Sequence, residues 1–294
     1  MKIINKPIFK VSLKNNWKVF LIHLIVAVSF LVLMRIVSGF LSDALFQGLQ
    51  GESLGYWVTA QTAGMFSLSG NFSIIMLIFL VIVGGGFINR PAMDGSLSAY
   101  LTVPVSRKKY SVTTLVAYYT MIIGLVLTTA LVGLLVIFSF PGAKIQWLFI
   151  GNYFAVVGIV ALVSLTIAAI SYFSATLFAG TNVKGMYVLI PIAFFVVSMF
   201  AELGSVVRQL KFLRYLSPYS WFDTTGFIIQ NNVGNDIVSN GSPMADGLIT
   251  DNLVAPSYIW WDKNPWLPAL FCLAIIAACS VLSVIIYRKK KFAV

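Results

Sequence analysis

Charge is what this chain has least of. Asp and Glu number 9 against 20 Lys and Arg, there is one histidine and two cysteines, and 10% of the 294 residues are charged. An ordinary soluble domain is about a quarter charged and somewhat under half apolar. Here 59% of residues are hydrophobic and the mean hydropathy is +0.93, which excludes such a domain and predicts an integral membrane protein. None of the nine acids falls inside an apolar core, so a proton or sodium relay through intramembrane carboxylates has no groups to run on. The chain offers no His/Cys/Asp cluster with metal-ligand spacing and no nucleophile-elbow glycine pattern. It also has no phosphate-binding loop of the Gly, four residues, Gly-Lys-Ser/Thr form, so any ATP chemistry would come from another chain. Cys272 and Cys279 share one apolar run and stand two helical turns apart, out of disulfide reach; they read as apolar filler. The net charge of +11 sits at the ends of apolar runs rather than on one soluble face, a topology signal and not a nucleic-acid footprint.

What is abundant is apolar sequence in long runs. Six of them meet or approach the roughly 20 residues needed to cross hydrocarbon: residues 17–37, 72–88, 112–138, 148–173, 186–200 and 267–287. The fifth is short and is expected to extend through Ala201 and Glu202 or to begin near Val183, with Pro191 kinking it. The first run is too long for a signal peptide and lacks a small-residue cleavage site, so it is expected to remain as a span. Ahead of it Lys2, Lys6, Lys10, Lys14 and Lys18 recur every four residues, with Ile8, Phe9, Val11, Leu13 and Trp17 between them. Residues 1–16 therefore read as an interfacial helix on the inner leaflet, or as a basic tail that only sets topology.

Lys and Arg placement fixes the expected orientation. With the N-terminus inside, the basic head, Arg90, Arg107, Lys108, Lys109, Lys184 and Arg288 to Lys291 all fall inside, and Asp94 is the single inner acid. The outer loops hold the remaining eight acids. The expected architecture is an all-α integral membrane protein of six transmembrane helices with both termini cytoplasmic, forming one domain over residues 1–294. Its outer loops are a moderately long one over 38–71, a tight turn over 141–147 and a large one over 201–264. The last is too long to lack structure. Residues 206–230 alternate well enough for one or two amphipathic helices broken at Pro218, and 231–252 read as turns. Trp260, Trp261 and Trp266 form an aromatic belt before the last span. Two ionisable groups accompany the first span: His23, expected as a packed histidine, and Arg35, expected to snorkel or to pair with Asp43. Gly84, Gly85 and Gly86 end the second run, either for close backbone approach or as a fraying end.

Residues 89–109 form a polar, basic island between the second and third runs. Asp94 is placed to cap a short helix from Gly95 to about Thr102, with Leu97, Tyr100 and Leu101 on one face and Pro104 ending it. Asp94, Gly95, Ser96 and Leu97, then Tyr100 and Leu101, then Pro104, Val105, Ser106 and Arg107, on this span order, resemble the type-2 family of ATP-binding-cassette (ABC) exporter permeases. Leu213 to Asp223, with its Leu-Ser-Pro-aromatic core, is similar to the element these permeases carry after span five. One position departs: Pro91 stands four residues before Gly95, where the family often has Glu.

The resemblance implies that 89–109 is a coupling loop whose helix docks on a separate cytosolic ABC ATPase subunit. Its contact residues would be Asp94, Gly95, Ser96, Leu97, Tyr100, Leu101, Pro104 and Arg107. ATP and Mg would belong to that partner, with no cofactor and no catalytic residue in this chain. A second permease subunit, a copy or a paralogue, would complete a path bounded by spans two and five in a cell membrane of bacterial cytoplasmic type. The cargo would be amphipathic or lipid-like, such as a peptide, an antimicrobial or a lipid. The competing expectation is a membrane-embedded enzyme or sensor that uses the large outer loop.

Overall fold

The computed structural model describes residues 4–45, 51–66, 71–87, 105–140, 142–178, 186–203, 212–213, 215–222 and 266–289. They form seven α-helices: α1 (Lys6–Leu45), α2 (Glu52–Phe66), α3 (Asn71–Phe87), α4 (Arg107–Phe138), α5 (Trp147–Phe178), α6 (Met186–Leu203) and α7 (Trp266–Lys289), with a 3-10 turn at Pro218–Ser220. No strand occurs among the described residues, where β pairing is limited to one bridge between Gly51 and Ala143. The all-helical expectation holds. Four helices are long and apolar enough to cross a membrane: α1 over Lys6–Val37, α4, α5 and α7. The second and fifth expected spans appear as shorter apolar helices over Phe72–Gly84 and Val188–Phe200. The 17 residues of α3 rise about 25 Å against roughly 30 Å of hydrocarbon.

Two differences from the expected segmentation stand out. The basic head and the first run are one unbroken helix, with no break near residue 16. Asn5 starts it by accepting from Ile8 N at 3.3 Å, and Pro7 sits in the first turn where its missing N–H costs nothing. Second, the loop over 38–71 contains a helix of its own, α2. Gly51, at φ +62, allows the sharp start, and its carbonyl accepts from Lys144 N at 2.9 Å. A Cβ on Gly55 would run into the Lys144 carbonyl, so glycine is required where α2 lies against the α4–α5 turn. The alternating polarity that marks a surface helix is weak in α2, which is why the sequence did not betray it. The expected tight turn after α4 is present, with Gly142 at φ +80. Pro191 lies inside α6, which runs on through it to Leu203.

The α4–α5 pair is the centre of the bundle. Burial inside the protein falls from 56% of the apolar window in α5 and 44% in α4 to 24% in α1 and 11% in α7. Side-chain pairs fix the relative directions. Asn5 N donates to Thr113 Oγ1 at one end of α1, and Arg35 reaches Ser139 at the other, so α1 runs parallel to α4. Tyr153 binds Ala130 and Thr114 meets Tyr172, while Tyr119 meets Ser280 and Tyr110 stacks on Tyr287, so α5 and α7 run antiparallel to it. The basic residues Lys6, Arg107 to Lys109, Arg288 and Lys289 consequently gather at one end of the bundle. The outward faces are apolar. On α4 the row Ile123, Leu127, Leu131 and Leu135 is exposed, on α3 Ile74, Ile78 and Ile82. In the absence of water such rows are the natural boundary with lipid tails.

Candidate functional site

Of the expected coupling residues, Asp94, Gly95, Ser96, Leu97, Tyr100, Leu101 and Pro104 lie outside the described residues, as do most of 201–264, Trp260 and Trp261. Arg107 is the first residue of α4. Ser106 caps this helix in extended geometry (φ −63°, ψ 142°), accepting from Lys109 N at 3.3 Å. Arg107, Lys108 and Lys109 then fill a first turn that has no acid. Cations there oppose the helix dipole by about 0.3–1 kcal/mol each, so local helix stability does not account for them. Arg288 and Lys289, in the last turn of α7, lie with the dipole instead. Arg107 comes within electrostatic range of Tyr287, whose ring stacks on Tyr110 at 5.8 Å.

The polar interior that the structure does describe is a set of tyrosines and small hydroxyls. Tyr110, Thr114 and Tyr118 recur at intervals of four on α4, with Ser111 and Tyr119 beside them. Thr114 and Tyr172 hydroxyls meet at 2.8 Å, and Tyr172 Oη donates to Ser111 O at 3.1 Å. Tyr118 Oη donates to Leu80 O at 3.3 Å, joining α4 to α3. A Cβ on Gly84 would stand 3.2 Å from that oxygen, so this glycine serves close approach, and α3 continues past it to Phe87. Tyr119 and Ser280 share a 2.8 Å bond, joining α4 to α7. The rings of Tyr118 and Tyr172 stack at 6.4 Å.

Into this interior comes the segment 215–222. The expectation for 206–230 is one or two amphipathic helices broken at Pro218, most of which lies outside the described residues. At the expected break stands a short 3-10 turn packed on α6 and α5, with Ser217, Pro218 and Tyr219 buried. Buried irregular backbone needs its polar groups satisfied by protein, and the side chains here show how. Ser217 is fully buried, caps the turn by accepting from Tyr219 N, and donates to Phe194 O at 2.6 Å in the middle of α6. Trp221 Nε1 donates to Tyr215 O at 3.0 Å and closes the loop on itself. Tyr219 stands edge-on to Phe195 at 5.8 Å and comes within electrostatic range of Tyr118. Among the described residues its hydroxyl has no hydrogen-bond partner, nor do the buried hydroxyls of Ser220, Ser111 and Ser171. The arrangement can offer neutral hydrogen bonds in an aromatic setting.

His23 is the packed histidine expected: buried, with Nδ1–H donating to Val19 O at 2.8 Å and its ring edge-on to Phe79 at 5.3 Å. Arg35 caps the C-terminal end of α4, with Nε on Ser139 Oγ at 2.9 Å, a second bond to Ser139 O and the Phe140 ring 4.1 Å from its guanidinium carbon. Cys272 is buried and Cys279 half-buried, both free thiols. The hydroxyl cluster went unnoticed in the sequence, although Tyr110, Thr114 and Tyr118 at helical spacing inside an apolar run were a legible signal.

These features define an all-helical, membrane-embedded protein with a basic end and a hydroxyl-bearing interior. No family model matches the chain, and no curated protein matches it.

Proposed function

We propose that the chain is the permease subunit of an ATP-driven exporter of the type-2 ABC kind. It would pass an amphipathic or lipid-like cargo and be driven by a separate cytosolic ATPase that holds ATP and Mg. In this reading α3 and α6 are the second and fifth spans, six helices cross the membrane, and a second permease subunit, a copy or a paralogue, completes the path. The observation that carries the reading is where the motif 94–107 is tied. It joins the end of α3 to the capped start of α4, and those two helices meet again at Tyr118 and Leu80, beside the inserted turn. A push on the loop from a docked partner thus has a short mechanical route to the polar interior. The α3–α6 contact puts that interior next to the pair of helices the family would use to bound its path. The three cations opposing the α4 dipole are explained by topology at the docking end.

The test is co-purification. The tagged full-length chain should bring down an ATPase subunit carrying a phosphate-binding loop, and the double variant Leu97→Asp/Tyr100→Asp should lose it while keeping its melting temperature. A complex that survives the double substitution intact overturns the docking role.

A further inference from the structure

We infer that the basic stretch of α1 is a binding strip for anionic phospholipid headgroups, independent of any transport role. Lys6, Lys10, Lys14 and Lys18 follow one another at intervals of four along a helix that is continuous from Lys6 to Leu45. At 100° per residue they fall in a sector about 120° wide. All four are exposed, and none has a side-chain partner among the described residues. The opposite side of the same stretch carries Ile8, Asn16 and Phe20, which are buried. The lysines thus face away from the bundle. Charge balance at this end is one-sided: the described residues there also include Arg107 to Lys109, Arg288 and Lys289, with no Asp or Glu.

The occupant follows from what comes next along the helix. Trp17, 51% exposed and stacked on Phe20 at 5.3 Å, sits at the end of the ladder. One turn beyond Lys18 the exposed positions become Ile22, Ile25, Val26 and Phe30. A helix that changes from exposed lysine to exposed aliphatic within one turn, with an exposed tryptophan at the change, crosses a water–hydrocarbon boundary there. Lys18 then stands at the headgroups with Lys14 about 6 Å beyond it along the helix, both within stem reach of phosphates. Headgroup phosphates are the anions that this position supplies, and lysine stems long enough to snorkel reach several of them at once. A nucleic acid or an acidic protein surface would match the charge but not the adjoining aliphatic face.

The experiment is native mass spectrometry of the full-length chain released from nanodiscs made with equal phosphatidylcholine and phosphatidylglycerol. Wild type is expected to retain phosphatidylglycerol in preference to phosphatidylcholine. The variant Lys6→Gln/Lys10→Gln/Lys14→Gln/Lys18→Gln should lose this preference by roughly tenfold or more, and the four-arginine variant should keep it. Lys108→Gln/Lys289→Gln, with the ladder intact, should also keep it. In wild type the preference should fall as salt is raised, a readout that holds even where the glutamine variant is unstable. Equal retention of the two lipids by wild type overturns the proposal, as does a glutamine variant that melts like wild type and retains phosphatidylglycerol unchanged. Displacement of the bound lipid by a short RNA, with the lipid preference otherwise insensitive to the glutamines, overturns it in favour of a nucleic-acid surface.

Discussion

Tyr153 and Tyr219 are both buried tyrosines set edge-on to a phenylalanine, at 5.7 Å from Phe66 and 5.8 Å from Phe195 respectively. They differ at the hydroxyl. Tyr153 Oη donates to Ala130 O at 2.7 Å, and Gly133 must lack a Cβ to leave room for it. Tyr219 Oη has no hydrogen-bond partner among the described residues. Since ring packing is alike, aromatic contact cannot explain why one hydroxyl is satisfied and the other is not. A buried hydroxyl without a partner costs about 1–3 kcal/mol, so one kept in a folded interior asks for a reason beyond stability. The α4–α5 crossing is a fixed joint built from a glycine, a ring and a carbonyl. The inserted turn is held by Ser217, with the Tyr219 hydroxyl unpartnered among the described residues.

The comparison breaks most visibly at Gly133. Gly133→Ala puts a methyl on the Tyr153 oxygen and close to the Phe66 ring. Overpacking of about 1–3 kcal/mol and loss of a hydrogen bond worth about 1 kcal/mol should give the largest destabilisation, read as a lowered melting temperature in detergent. The partner change Gly133→Ala/Tyr153→Phe should recover part of it, because the phenyl ring no longer carries the oxygen. A smaller effect is expected at the other site. Ser217→Ala removes both the turn cap and the bond to Phe194 O, a loss of about 1–2 kcal/mol. Because the Ser217 hydroxyl ties the turn to α6, that loss should appear as faster hydrogen exchange over 215–222 and mid-α6, with α4 and α5 unchanged. Equal acceleration in all four would mean that the turn is as much a part of the fixed joint as Tyr153.

The helical spans were legible because run length and hydropathy alone decide them: 112–138 and 148–173 appear inside α4 and α5, and 267–287 inside α7. The clustering of bases at the ends of runs was legible too, and Lys6, Arg107 to Lys109, Arg288 and Lys289 gather at one end of the bundle. Three features were not. The continuity of α1 across residue 16 depends on its docking along α4, through Asn5 and Thr113, which no local pattern encodes. The helix α2 is nearly uniform around its circumference, so its periodicity is silent. The burial of 215–222 is a tertiary fact: Ser217, Pro218 and Tyr219 have the composition of any surface turn, and the carbonyl that accepts the serine lies 23 residues back, on α6. The expected coupling helix from Gly95 to about Thr102 lies outside the described residues and stands on its motif.

The smallest expected effect is the one that decides what the free hydroxyl means. Tyr219→Phe keeps the ring against Phe195 and removes a buried oxygen that has no partner, so stability should stay level or rise by up to about 1 kcal/mol. Tyr153→Phe removes a satisfied hydroxyl from an equally buried ring and should lower stability by about 1 kcal/mol. Opposite signs from the same chemical change, measured side by side by thermal unfolding of the full-length chain in one detergent, would establish that the fold itself does not use the Tyr219 oxygen. Equal losses at both positions would place a structural water on Tyr219, since a bridging water is enthalpically nearly as good as a direct bond. The difference Tyr153 and Tyr219 display would then be one of partner and not of role.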